Sequence, residues 1–184
     1  WASLIGELLH PQIDWRERLR VFVQNTVKNN YRLTPPNKRH LWRGIYLPGI
    51  YGDSLEVAVA IDTSGSVSNK DLQAFITEIQ AICDSFESYT IYYYQCDAQI
   101  QVEKVLEPGD EIPRQMKGRG GTSFKPVFQK VQELPYVDCL VYLSDLYPND
   151  GFPSPLDVPT VWVSSTDQVA PYGETLPIKG REPE

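Results

Sequence analysis

Histidine is almost missing from this chain. His10 and His40 are the only two, and neither sits in a His-Glu-x-x-His helix, which excludes zinc-peptidase chemistry of that type from the residues present. Both read as surface histidines. Cysteine is scarce and odd in number: Cys83, Cys96 and Cys139, at irregular spacing, form neither a disulfide framework nor a zinc pattern. They read as free buried thiols acting as small hydrophobes, which fits a reducing compartment and hence the cytoplasm. No apolar run is long enough to span a bilayer, and no signal-peptide pattern opens the chain. Positive charge is in deficit, with 17 Lys and Arg against 24 Asp and Glu, a net charge of −7 and a pI near 4.9. Nucleic-acid binding leans on clustered cations that neutralise phosphates, so this balance argues against it. The cations that are present gather toward the N-terminus, from Arg16 to Arg43, and read as a solvated face. The chain opens on Trp1 rather than Met, which reads as a fragment or a processed product.

What is present is the pattern of a globular domain. A length of 184 residues with 41% hydrophobic content suits one domain with its own core. Residues 14–30 carry Trp15, Leu19, Phe22, Val23, Thr26 and Val27 on one helical face, with Asp14 and Glu17 spaced as a capping box. Residues 31–54 are aromatic, basic and turn-rich and read as an extended segment over the domain surface, with room for a short edge ladder around 41–47. From residue 55 the pattern changes. Residues 55–61 form a β-branched run suited to a strand buried on both faces. Ser68 and Asp71 make a second capping box before a helix with Leu72, Phe75, Ile76, Ile79 and Ile82 in register, running to 86. Strands follow at 89–95 and 99–106 through a turn at 96–98, then a Pro/Gly-rich loop over 107–121. A short helix spans 124–134, with strands at 137–143 and 158–163 and a frayed tail at 180–184. Tyr92, Tyr93 and Tyr94 alternate between the faces of a strand as packing residues. The alternation predicts an α/β fold: a mostly parallel, doubly wound sheet with an antiparallel edge hairpin.

Three loops carry the chemistry. Asp62-Thr63-Ser64-Gly65-Ser66 follows the first buried strand, Gly120-Gly121-Thr122 closes the glycine loop, and Asp145 follows the strand at 137–143. In parallel α/β sheets ligands sit outside the carboxyl ends of the strands, which places Asp62 and Asp145 on one rim. Asp62, Ser64, Ser66, Thr122 and Asp145 all offer oxygen, the ligand set of a hard divalent cation such as Mg²⁺; Mn²⁺ and Ca²⁺ are served by the same atoms. Gly65 is expected to allow a turn that a side chain would forbid, and Gly118, Gly120 and Gly121 a close approach of the loop. A mostly neutral set of this kind keeps the ion electrophilic and leaves a coordination position for a carboxylate from outside the chain. Asp97, Asp110, Asp138 and Asp150 read as turn or surface acids.

The Asp-x-Ser-x-Ser motif, the downstream Gly-Gly-Thr and the strand-end Asp together resemble the metal-ion-dependent adhesion site (MIDAS) of von Willebrand factor A (VWA) domains, over residues 55–164. Ile13-Asp14-Trp15-Arg16-Glu17 and Tyr46-Leu47-Pro48 resemble more narrowly the VWA-like C-terminal portion of bacterial and phage metallopeptidase-type proteins. The resemblance implies a three-layer Rossmann-like fold with Mg²⁺ at Asp62, Ser64, Ser66, Thr122 and Asp145. It divides the chain into an N-terminal helix and extended segment over 1–54 and the VWA-like domain over 55–184. It also implies a non-catalytic interaction module whose partner completes the metal shell with an Asp or Glu, a MoxR-type AAA+ ATPase being a partner of that kind. The region after Val163 is short for such a domain, so its last helix and strand are expected to be truncated or replaced.

Enzyme readings need other sets. Asp62-Thr63-Ser64 departs from the Asp-Thr-Gly of aspartic proteases and has no second copy to form a dyad. There is no Gly-x-Ser-x-Gly elbow, and the glycine loop lacks the spacing and lysine of a phosphate loop. The alternative that stays open is a Mg²⁺-dependent phosphoryl-transfer enzyme using Asp62 as acceptor, although no carboxylate at position 64 and no strand-end lysine complete such a site.

Overall fold

A computed structural model describes residues 14–30 and 54–178. The expectations for His10, His40, the segment 31–53 with its edge ladder, and the tail lie outside these residues.

Strand β1 (Ser54–Asp62) is buried along its whole length after Ser54. Such a strand must be apolar at odd and even positions alike, which is why Leu-Glu-Val-Ala-Val-Ala-Ile reads as a nearly continuous run. It lies inside a six-stranded sheet of order β3-β2-β1-β4-β5-β6, formed with β2 (Ser88–Cys96), β3 (Ile100–Leu106), β4 (Cys139–Ser144), β5 (Thr160–Ser164) and β6 (Glu174–Pro177). All neighbours pair parallel except β2 and β3, whose antiparallel pairing makes the expected edge hairpin.

Alternation along the strands separates two cores. Val57, Val59, Ile61, Val141, Leu143, Val161 and Val163 face one side, where they join the apolar stripes of α1 (Trp15–Asn30) and α2 (Asn69–Asp84). Ala58, Ala60, Leu140, Tyr142 and Trp162 face the other, against Phe124 and the Val127, Phe128 and Val131 stripe of α3 (Lys125–Glu133). The two small alanines leave room there for large rings. Phe124 packs edge-on to Tyr142 at 4.9 Å and Trp162 stacks on Tyr142 at 5.3 Å between centroids. Helices on both faces of one sheet give the three layers.

Both N-terminal caps form. The Asp14 carboxylate accepts from the Arg16 amide at 3.2 Å, and the Ser68 hydroxyl accepts from the Asp71 amide at 3.1 Å. Tyr93 and Tyr94 go to opposite cores, and all three cysteines are free and buried. Three details differ from expectation. β6 escapes the sequence pattern because its four residues bury only Leu176 and show no period; it supplies a last strand, while no helix follows β5 among the described residues. The helix expected to reach residue 86 ends at Asp84, where Ser85 turns its hydroxyl back to the Ile82 carbonyl at 2.6 Å. Asp138 is buried rather than on the surface: its carboxylate accepts from the Glu56 amide at 2.8 Å and the Tyr136 hydroxyl at 2.6 Å, tying β4 to β1. No helix among the described residues is long and apolar enough to cross a membrane.

Candidate metal centre

The sheet order has a physical consequence. From β1 the chain crosses by α2 to β2 on one side, and from β3 it returns by α3 to β4 on the other. The two crossovers travel in opposite directions, so their helices cover opposite faces and part between β1 and β4. The register pairs Ile61 with Leu143, which puts the ends of both strands side by side. Asp62 and Asp145 leave from that crevice.

The first loop turns back on itself. The Ser64 amide donates to Asp62 Oδ1 at 2.9 Å, and the Ser64 and Ser66 hydroxyls lie 3.1 Å apart. Ser66 Oγ donates across the crevice to Asp145 Oδ2 in a short contact. Thr122 Oγ1 lies 3.4 Å and 3.5 Å from the two Asp62 oxygens, at the outer limit of hydrogen bonding. All five residues expected from the sequence are therefore joined through these contacts. Their exposures grade outward: Asp62 is 1% exposed, Thr122 5% and Asp145 8%, while Ser66 is exposed.

Gly65 plays a smaller part than expected. It is not among the described glycines with positive φ, and a Cβ there would meet open space. The hydrogen bonds of Asp62 and Ser64 shape the turn instead. In the glycine loop Gly118 is the glycine the backbone requires. Gly118 sits at φ +94°, where a Cβ would lie 2.6 Å from Asp97 Oδ2, and a Cβ at Gly121 would collide with the Asn149 side chain.

Ser144 and Leu146 escaped sequence reasoning, and the burial of Asp97 was not expected. Ser144, fully buried, donates its hydroxyl to Asp62 Oδ2 at 2.8 Å, lies 3.5 Å from Asp145 Oδ1 and accepts from the Leu146 amide at 3.0 Å. It sits between the two carboxylates, giving its one proton to Asp62; its place beside Asp145 at a strand end was the available signal. Leu146 follows with φ 63°, a left-handed conformation that a bulky residue keeps only when its surroundings over-determine it. Its buried side chain, the Ser144 bond and the Tyr147 amide donating to Asp145 Oδ1 at 3.1 Å do so. Asp97, expected as a turn or surface acid, is 7% exposed. Burial by itself would raise its pKa, but N–H donors from Gln99, Gln101 and Gly120 outweigh it and hold the carboxyl below its usual range.

Electrostatically the cluster is unbalanced. Burial raises the Asp62 pKa above its ordinary 3.8; hydrogen bonds from Ser64 and Ser144 oppose this, and the neighbouring Asp145 charge adds to it. Neither carboxylate has a basic side chain as ion-pair partner among the described residues. No three His, Cys, Asp or Glu side chains gather into a metal-binding group there either. The donor set is two carboxylates and three to four hydroxyls. That chemistry fits a hard, oxygen-loving divalent cation and does not fit zinc.

The family described as "VWA-like domain (DUF2201)" matches residues 57–179, and the one described as "Putative metallopeptidase domain" matches residues 1–51. An uncharacterized protein of Thermotoga maritima is 31% identical over 125 residues; the match takes in 65% of this chain and 30% of that protein. The chain thus spans under a third of that relative's length. Among solved structures, the ArnB paralog VWA2 from Sulfolobus acidocaldarius aligns with a TM-score of 0.48 at 19% identity, over 61% of this chain and 35% of that one. With the family match running from β1 to beyond β6, the chain belongs to the VWA-like domain (DUF2201) family.

Proposed function

We propose that this chain is a divalent-metal-dependent protein-interaction module. The observation that carries the reading is the meeting of Asp62, Ser64, Ser66, Thr122 and Asp145 at the β1/β4 crevice, two carboxylates joined by hydroxyls with no basic ion-pair partner among the described residues. These residues would hold Mg²⁺, or Mn²⁺ or Ca²⁺ in its place. The bound cation would supply a Lewis-acidic point with a position open to an outside carboxylate oxygen. Ser64, Ser66 and Thr122 would offer neutral hydroxyls, which leave that point electrophilic. Asp62 and Asp145 supply the negative charge beneath it. Thr122 sits on a loop rather than a strand and is the ligand able to exchange direct for water-mediated contact as that loop shifts.

The partner would present an Asp or Glu, and a MoxR-type AAA+ ATPase has that role by analogy with the wider fold family. The same reading puts the module in the cytoplasm, as part of a larger protein that carries a peptidase-like region. Phosphoryl transfer to Asp62 is less well supported, because this carboxylate is 1% exposed with both oxygens already accepting hydrogen bonds.

Calorimetric titration of the protein with Mg²⁺, and with Mn²⁺ followed by electron paramagnetic resonance, tests the site. Asp62→Ala is expected to bind neither ion while keeping its core. If that variant titrates like the parent, the assignment is wrong. Incubation with a small phosphodonor and Mg²⁺ addresses the enzyme reading: covalent phosphate on Asp62 would overturn the module.

A further inference from the structure

The segment from Pro113 to Ser123 has no regular structure, so its backbone polar groups need partners from elsewhere. Three side chains on one face of β2 and its extension supply them in order. The Tyr93 hydroxyl donates to the Pro113 carbonyl at 3.2 Å. The Gln95 amide nitrogen donates to the Gln115 carbonyl at 2.9 Å, and its oxygen accepts from the Lys117 amide at 2.9 Å. Asp97 Oδ2 accepts from the Gly120 amide at 3.1 Å, and the Asp97 carbonyl accepts from the Ser123 amide at 3.0 Å. Residues 93, 95 and 97 share a face because side chains alternate along a strand. The loop is laid over them rung by rung.

We infer that Gln95 and Asp97 are positioning residues for Thr122. The inference rests on reading Thr122 as a metal ligand. Several observations point past mere stability. Gln95 is fully buried, and both ends of its amide are spent on the loop, apart from a 3.0 Å bond to the Tyr93 hydroxyl in the same ladder. Asp97 divides its oxygens: Oδ1 accepts from the Gln99 amide in the β2–β3 turn and from the Gln101 side chain on β3, and Oδ2 accepts from the loop. It thus locks the loop to the rigid sheet edge. Gly118, without a side chain, lets the backbone pass close over this carboxylate. From the other side, the Asn149 amide donates to the Thr122 carbonyl at 2.8 Å. Thr122 is held between the β2 ladder and the loop after β4, which brings its hydroxyl to the Asp62 carboxylate. A ligand held only by its own loop would lack that placement; residues behind first ligands commonly govern metal affinity for this reason.

The test uses Asp97→Asn, Gln95→Met and Thr122→Ala, singly and combined. Asp97→Asn keeps one acceptor for the turn and turns an amide nitrogen toward Gly120. Mn²⁺ affinity should fall about 10–100-fold in Asp97→Asn and in Gln95→Met. On the Thr122→Ala background neither change should cost anything further, because they act through that hydroxyl. In metal-free protein, exchange of the Asn149 amide should quicken about tenfold or more while β1 amides keep their protection. Equal losses of affinity on both backgrounds, or no loss at all, would overturn the inference. Should the parent bind no Mn²⁺, the metal reading fails by itself. The ladder is then judged by Asn149 exchange, where an unchanged rate rejects it.

Discussion

Replacing Asp62 with Asn should move stability in opposite directions with and without metal. In chelator, the folded protein holds a buried carboxylate whose pKa is raised above 3.8, chiefly by burial, with a second carboxylate, Asp145, adding to the shift. A raised folded pKa means the ionised form destabilises the fold. That cost is present in full above the folded pKa and disappears as pH falls through it toward 3.8. Asn is neutral at every pH. It can keep the Ser64 bond through its oxygen and the Ser144 contact by donating its N–H to that hydroxyl. At pH 7 in chelator the variant should therefore melt at or above the parent temperature, and the difference should shrink toward pH 4. With Mg²⁺ the order reverses. At a free concentration 100 times its dissociation constant, an ion that binds only the folded parent adds about 2.7 kcal/mol. For a chain of this size that is a rise of about 5–11 °C in melting temperature. The variant should gain almost none of it. Differential scanning fluorimetry across pH, with and without saturating Mg²⁺, reads both arms. Parent and variant gaining equally from Mg²⁺ would refute the reasoning, because damage to folding cannot produce opposite signs in the two arms.

Trp162→Ala removes the ring at the centre of the α3-side core, where it meets Phe124 at 5.0 Å and Tyr142 at 5.3 Å; urea unfolding should show a loss of about 3–5 kcal/mol. Gly118→Ala forces a side chain into a left-handed backbone against Asp97 and should cost more than about 1 kcal/mol, read by the same unfolding curves, and weaken Mn²⁺ binding alongside. Ser68→Ala loses the cap of α2 and should cost about 1 kcal/mol with Mn²⁺ affinity unchanged, since the cap faces the Asp71 amide rather than the cluster.

The layers of this fold were legible because burial patterns are local. The run at β1 announces a strand covered on both faces, and the stripes of α1 and α2 repeat at the helical period, so composition and spacing suffice. β6 is the exception, and its reason is length: four residues with one buried side chain carry too little period to stand out. Ser144 was hidden for a different reason. A buried serine next to an aspartate has no pattern of its own; its value comes from being opposite Asp62 on the adjacent strand.

By itself, then, the chain's order of residues determined an α/β sheet, its antiparallel hairpin, its caps and five oxygen-bearing side chains at a strand end and in loops. Only the tertiary structure decided that β1 and β4 are direct neighbours, that Ser144 donates to Asp62 between the two acids already expected on one rim, and that Asp97 turns inward to clasp a loop 23 residues away. Propensity and periodicity act over a few residues along the backbone. Hydrogen bonds across the crevice join positions up to 82 apart, and no local preference encodes which strands will lie side by side.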